Sequence, residues 1–382
     1  TTAINGGSVT TTGAQIYGDA VVLGAAATLT GVGNTFASTV NGPGALTVDD
    51  SGTTTFSAAV GGTTPLASIT TNAGGTTSLQ SVTTTGTQTY NDNVILNGSY
   101  ATTNSLFAVF GTTTLAGPTS ITSGTGGTGL VGTVDGVTTL SINSTGGTVT
   151  FGSNIGSIAP LTDLSVKAAT IVAFDTTTNG NQLWDGNVTF NSTETTNGGT
   201  FTVTGTTTLG TARDANNALV INTGNGTSGV ILLQGAVLGS TAGAQSLVVN
   251  SGATTTFGST VGNIEIPIAR LVTDAGGSTV FNGNVITGGA NVTTVPGVTT
   301  ISPTTATIRI SDTTSGAANL TLTSTTGGLI SVNNGTSTFP QTINTTGAVI
   351  IAGTSLGSTV APLVMSVTPA ALQVNQPIAL IF

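Results

Sequence analysis

The stretch TTGTQTYNDNVILN, Thr84 to Asn97, holds one aromatic, one acid and a short apolar run. TTGAQIYGDAVVLG, Thr11 to Gly24, is nearly the same line, and NGNQLWDGNVTFN, Asn179 to Asn191, is a third version. Tyr17, Tyr90, Trp184 and Phe281 each begin a turn that leads into an apolar strand, as in YGDAVVL, YNDNVIL, WDGNVTF and FNGNVIT. A second phrase is marked by Phe56, Phe151 and Phe257, in TTTFSAAVGGTTPLASI, TVTFGSNIGSIAPLTDL and TTTFGSTVGNIEIPIARL, with IIAGTSLGSTVAPLVMSV as a weaker copy. A third, ALTVDDSG, LSINSTGG and SLVVNSGA, begins at Ala45, Leu140 and Ser246, ahead of each Phe. Three lines recurring in one order mean duplication, and self-similarity of this kind marks a repeat architecture.

The Phe markers stand 95 and then 106 residues apart (151 minus 56, 257 minus 151), so one interval carries an insertion. The spacing divides the chain into four degenerate units, about 1–80, 81–174, 175–281 and 282–369, with an apolar strand at 371–382. Within a unit, runs such as VVL, LTV, VIL and LVV alternate with GG, NG, DG and SG, the dipeptides that punctuate turns. Apolar residues alternate with Thr in LTV, FTV, IRI and LTL, the period of two expected of a strand with one buried face.

Composition narrows the class further. The 382 residues include Lys+Arg 4, Asp+Glu 13 and no His, for a net charge of -9 and 4% charged residues. Ordinary domains carry about 25%, so Thr, Ser, Asn and Gly must solvate this surface. A mean hydropathy of +0.36 with so little charge argues against disorder. Lys167, Arg213, Arg270 and Arg309 are dispersed and form no phosphate-binding patch, which excludes nucleic acid as a partner. The absence of Cys removes disulfides, thiolate metal sites and thiol catalysis together. The apolar segment 360–382 is interrupted by Pro362, Pro369 and Pro377 and reads as extended chain, so no transmembrane helix is expected. The start at Thr1, with no Met and no signal-like run, reads as a mature or excised segment.

Short strands, tight turns and only 4% aromatic residues predict an all-β, right-handed parallel β-helix (β-solenoid) of about 20–25 residues per coil, running as one continuous domain over 1–382. The alternative is a string of tandem immunoglobulin-like β-sandwich domains, which would want a bulky core aromatic per unit and visible linkers. Phe56, Phe151 and Phe257 are expected as structural core, buried at equivalent interior positions.

The lines TTGTQTYNDNVIL, AGAQSLVVNSG and TTTFGSTVG resemble the strand repeats of large secreted bacterial exoproteins of the filamentous haemagglutinin and autotransporter-passenger type, over essentially the whole chain. The resemblance implies a parallel β-helix at a bacterial cell surface or in the matrix around it, extracellular and serving adhesion or structure.

Catalysis is not expected. The adjacent acids Asp49 and Asp50 are replaced by Asn143 with Ser144 and Asn250 with Ser251 in the other copies, so the position reads as a turn that tolerates loss of charge. Asp19, Asp92 and Asp185 recur beside the aromatic, but the fourth copy has Asn282 and Gly283 there, again turn formers. GTGGTGLVGTVDG, Gly124 to Gly136, fails as a calcium nonapeptide because its sixth position from Gly126 is Val131. No His is present for a nucleophilic triad, and no Gly-rich turn opens a helix. The sequons at Asn97, Asn187 and Asn225 are what so Asn- and Thr-rich a composition produces. No cofactor, metal or catalytic residue is therefore expected.

The leading functional expectation is a stalk, an adhesin or a filament subunit. Its partners would be identical copies, further repeats of a longer chain, or a surface glycan or neighbour-cell receptor. The runner-up is a carbohydrate-binding or carbohydrate-degrading β-helix, which needs Tyr17, Tyr90 and Trp184 on an exposed groove with converging acids. The uncharged tail ALQVNQPIALIF is expected to assemble head to tail as an added strand, through Leu372, Val374, Ile378, Leu380, Ile381 and Phe382.

Overall fold

The computed structural model describes residues 1–210, 218–224 and 229–263, and beyond them isolated residues and the strands between Arg270 and Val374. Two compact units, Thr1–Asn181 and Gln182–Phe382, make up the chain. Each is a β-solenoid built from parallel strand pairs. Among the described residues the sole helix is a 3-10 turn at Gly124–Gly126, and no helix is long and apolar enough to cross a membrane. Parallel pairing corrects the sandwich alternative, since a sandwich is built of antiparallel strands.

In the first unit each coil lays down strands on three faces. Face one stacks Gly7–Thr10, Ala27–Gly31, Leu46–Asp50, Ile69–Thr71, Gln88–Tyr90, Phe107–Val109 and Thr128–Leu130. Face two stacks Gln15–Tyr17, Asn34–Phe36, Thr53–Phe56, Thr76–Leu79 and then the first halves of Asn93–Ala101 and Thr113–Thr122. Face three runs from Thr2–Ile4 through Val21–Leu23 and Val40–Asn41 to Val60 and Val82–Thr83. The second halves of Asn93–Ala101 and Thr113–Thr122 continue it, followed by the first halves of Thr139–Phe151 and Asp163–Ala173, whose second halves belong to face one.

The two-residue alternation seen in the sequence is what sorts inside from outside. In Ala27–Gly31 and Leu46–Asp50 the first, third and fifth residues are buried, because successive side chains of a strand point to opposite faces. Leu29 pairs with Val48, Val48 with Thr71, Thr71 with Tyr90 and Tyr90 with Val109, so a coil takes 19 to 23 residues in this ladder. In the second unit the ladder Trp184, Val203, Leu233, Phe257, Phe281 takes one step of 30, from Val203 to Leu233. The insertion between the second and third Phe markers sits there. Backbone register then continues through Ile301, Leu322, Ile343 and Met365.

Phe56, Phe151 and Phe257 are all buried. Phe56 ends a stack of rings, lying 4.6 Å from Phe36 with the planes 1° apart, and Phe36 lies 5.0 Å from Tyr17. The marker does not stay on one face. Tyr17, Phe36 and Phe56 belong to face two, whereas Tyr90, Val109, Leu130 and Phe151 form a ladder on face one. Successive copies of the phrase thus fold alike but on different sides of the coil.

The interior is not wholly apolar. Thr113 faces inward between Val94 and Val134, and in the second unit Thr207 faces inward between Val188 and Val237. Both are buried, and neither hydroxyl has a hydrogen-bond partner. A buried, unpaired hydroxyl costs about 1–3 kcal/mol, and Val matches Thr in shape. Thr113→Val and Thr207→Val are each expected to raise unfolding free energy by about 1–2 kcal/mol in denaturant titrations. A loss of stability in both would show that these hydroxyls are satisfied in solution.

Candidate functional site

The recurring phrase resolves into one device, Thr-x-Gly-x-Gln-x-aromatic, at Thr11 to Tyr17, Thr84 to Tyr90 and Thr178 to Trp184. Its Thr donates to the Gly carbonyl two residues on: Thr11 Oγ1 at 2.7 Å, Thr84 Oγ1 at 2.6 Å and Thr178 Oγ1 at 2.7 Å. Its Gln points inward and accepts from the polar hydrogen of the aromatic. Tyr17 Oη donates to Gln15 Oε1 at 2.7 Å, Tyr90 Oη to Gln88 Oε1 at 3.2 Å and Trp184 Nε1 to Gln182 Oε1 at 3.4 Å.

The same Gln donates to the backbone. Gln15 Nε2 reaches Val9 O and Thr30 O, Gln88 Nε2 reaches Val82 O and Ala101 O, and Gln182 Nε2 reaches Thr195 O. A buried carboxamide and a buried ring donor satisfy each other, and the carboxamide ties neighbouring chain segments together. The fourth copy has Phe281, which carries no donor, and Thr279 where the Gln would stand.

At the second recurring position loss of charge is tolerated, as expected, but Asp50 itself is turned inward and not out into a surface turn. Asp50 is 2% exposed at the corner between faces one and two. Gly33 N and Gly52 N donate to its Oδ1, and Asn34 N and Thr54 Oγ1 donate to its Oδ2, at 2.7 to 2.9 Å. Burial pushes its pKa up, but these four bonds outweigh burial and hold the carboxyl below its ordinary value. Its counterparts Ser144 and Ser251 are buried too. Ser144 Oγ shares hydrogen bonds with Ser123 and Thr128, and Ser251 Oγ donates to Gly229 O. The position holds a buried hydrogen-bonding side chain that fastens the corner, with or without charge.

Asp19, Asp92 and Asp185 do not form a carboxylate row. Asp19 is exposed, Asp185 accepts from Thr204 Oγ1 at 2.8 Å, and Asp92 is 5% exposed. Thr71 Oγ1 and Thr77 Oγ1 each donate to Asp92 at 2.7 Å. Burial raises the Asp92 pKa, and the two hydroxyl bonds only partly offset it.

The two corner acids therefore answer acid in opposite senses. Asp50, lowered, contributes stability that is full above the ordinary carboxylate range and is lost as pH falls through its folded value. Asp92, raised, binds its proton more tightly folded than unfolded, so its charge costs stability above its folded pKa and that cost disappears on acidification. Asp92→Asn is expected to stabilise the protein at pH 7 by about 1 kcal/mol. It should also steepen the loss of stability below about pH 5, because the Asp50 effect is then no longer opposed by that of Asp92. Urea unfolding from pH 3 to 8 checks both; an unchanged pH profile in the variant would contradict the assignment.

The groove needed for a glycan reading is not assembled by these residues. Tyr90 and Trp184 are 0% exposed, and Tyr17, half-buried, stacks on Phe36. Leu372 and Val374 lie on the strand Leu372–Val374, which pairs with Val349–Ala352; Ile378, Leu380, Ile381 and Phe382 lie outside the described residues. No family model matches the chain, and no curated protein or solved structure matches it.

Proposed function

We propose that the chain is a non-catalytic structural module of a secreted bacterial surface or matrix protein, a stalk, adhesin or filament subunit. The carrying observation is where the recurring groups are spent. The aromatics and Gln of the phrase, and the acids Asp50 and Asp92, are turned inward to fasten coils, so the repeated residues serve the coil stack itself. What faces outward on face one is a rank of hydroxyls, Thr28, Thr47, Thr70 and Thr89 in register, which hydrates a surface nearly free of charge.

Partners follow from the parallel stacking itself. Each coil offers the backbone groups of its strands to the coil beside it, and a strand edge of that kind is a template for another strand. We propose identical copies added head to tail, or further repeats of a longer chain, as the partners. Electron microscopy of the purified protein tests this reading, with thin rods or filaments expected. Compact particles without elongation, or release of sugar ends from polysaccharides incubated with the protein, would overturn it.

A further inference from the structure

Composition supplies this chain with Asn-x-Ser/Thr triplets, and the fold sorts them. Among the described residues they begin at Asn97, Asn143, Asn187 and Asn191. At three of these the carboxamide is laid against the next coil. Asn97 Oδ1 would meet a Cβ at Gly117 at 2.2 Å, Asn191 Oδ1 would meet one at Gly210 at 2.2 Å, and Asn187 Oδ1 accepts from Thr206 N at 2.9 Å. Asn97 and Asn191 are also half-buried.

Asn143 differs. It is exposed, and among the described residues its side chain bonds only within its own triplet: Thr145 Oγ1 donates to Asn143 Oδ1 at 2.6 Å, and Thr145 N donates to the same oxygen at 3.3 Å. The residue between them points the other way, because successive side chains of a strand alternate. Ser144 is buried and hydrogen-bonded to Ser123 and Thr128, which anchors the corner while Asn143 and Thr145 face solvent. Their neighbours in register on the adjacent coils, Thr122 and Lys167, are exposed as well, so the approach to Asn143 Nδ2 is open. The same corner recurs twice without a complete triplet. Asp49-Asp50-Ser51 lacks the amide nitrogen, and Asn250-Ser251-Gly252 lacks the hydroxyl.

An Asn two residues before a hydroxyl residue is the acceptor pattern for an N-linked sugar. A sugar is bulky and needs an outward position, and a hydroxyl donating to Oδ1 stabilises the charge that gathers there as Nδ2 gives up its proton. We propose that Asn143 is a site of N-glycosylation. The bond formed joins Nδ2 to the anomeric carbon of a sugar. The bond broken links that carbon to the phosphate of its nucleotide or lipid carrier, and the Nδ2 proton passes to a base of the glycosyltransferase. Among the three copies of the corner this one alone carries the site, and the assignment does not depend on the stalk, adhesin or filament role.

Mass-spectrometric mapping of elastase peptides, on protein purified from the cells that make it naturally, tests the assignment. Sugar is expected on Asn143, with lower occupancy at Asn97, Asn187 and Asn191. A single hexose identifies a nucleotide-linked donor and an oligosaccharide a lipid-linked one, and either supports the site. Thr145→Val, a substitution at an exposed position, should abolish the modification of Asn143. An unmodified Asn143 in the wild-type protein overturns the proposal, as does sugar that persists on Asn143 in Thr145→Val. Equal occupancy at Asn97 would show that the fold does not select among the triplets, and overturns it too.

Discussion

Asp50→Asn is expected to cost the first unit about 3–5 kcal/mol of unfolding free energy. The carboxylate accepts from Gly33 N, Asn34 N, Gly52 N and Thr54 Oγ1, and three of these donors are backbone groups that cannot turn away. Asparagine keeps one acceptor oxygen and sets an N–H₂ against the remaining donors. Hydrogen bonds to a charged acceptor contribute about 1.5–3 kcal/mol each, and a buried donor left unpaired adds its own penalty. The wild-type protein should show the same dependence on acidification. As pH falls through the folded pKa of Asp50, below the ordinary carboxylate value of 3.8, that stabilisation is lost. Denaturant titration of Asp50→Asn at pH 7 checks the first part, and a change below 1 kcal/mol would show that the corner holds without its acid.

Gly156→Ala is expected to destabilise the same unit by about 2–5 kcal/mol, and Gly61→Ala equally. The two glycines hold equivalent places in the Phe-marked phrase, at φ of +66° and +70°, and Gly262 repeats them at +67°. Each N–H donates to the coil before it, Gly156 to Val134 O, Gly61 to Val40 O and Gly262 to Val237 O, at 2.6 to 2.7 Å. A side chain there meets two obstacles at once. A left-handed conformation costs an L-residue roughly 1–2 kcal/mol, and an added Cβ would lie 2.2 Å from Thr177 O at Gly156 or 2.1 Å from Thr83 O at Gly61. Those oxygens belong to the stacked backbone of the next coil and cannot move alone, so overpacking adds about 1–3 kcal/mol. Ser157→Ala, next door and exposed, is the control and should change stability by less than about 0.5 kcal/mol. Equal stability of Gly156→Ala and the control would mean that the loop relaxes freely.

Strand content and parallel coil stacking were legible because a period of two and regular turn dipeptides survive in any copy of the repeat. The polar interior was not. Gln15, Gln88 and Gln182 stand in plain view two residues before an aromatic, yet Gln reads as a surface residue unless its partner is known to be a buried ring donor. The inward role of Asp50 was hidden for a related reason. Ser144 and Ser251 in its place resemble turn residues, and what the three share is a buried side chain that hydrogen-bonds across the corner, a property of the corner and not of residue type.

The migration of the phrase from face two, where Phe56 lies, to face one, where Phe151 lies, bears on how such a chain can grow or shrink. The sequence repeat and the coil are out of phase, so the unit of inheritance is not a whole number of turns. Unequal recombination that gained or lost one repeat would leave the coils able to stack, since the same phrase folds on either side. It would also rotate every outward residue beyond the junction by one face. Length and azimuth are therefore coupled in this architecture: a change in the number of repeats alters which way the downstream surface looks, and a ligand-binding rank kept on one side would have to be inherited coil by coil.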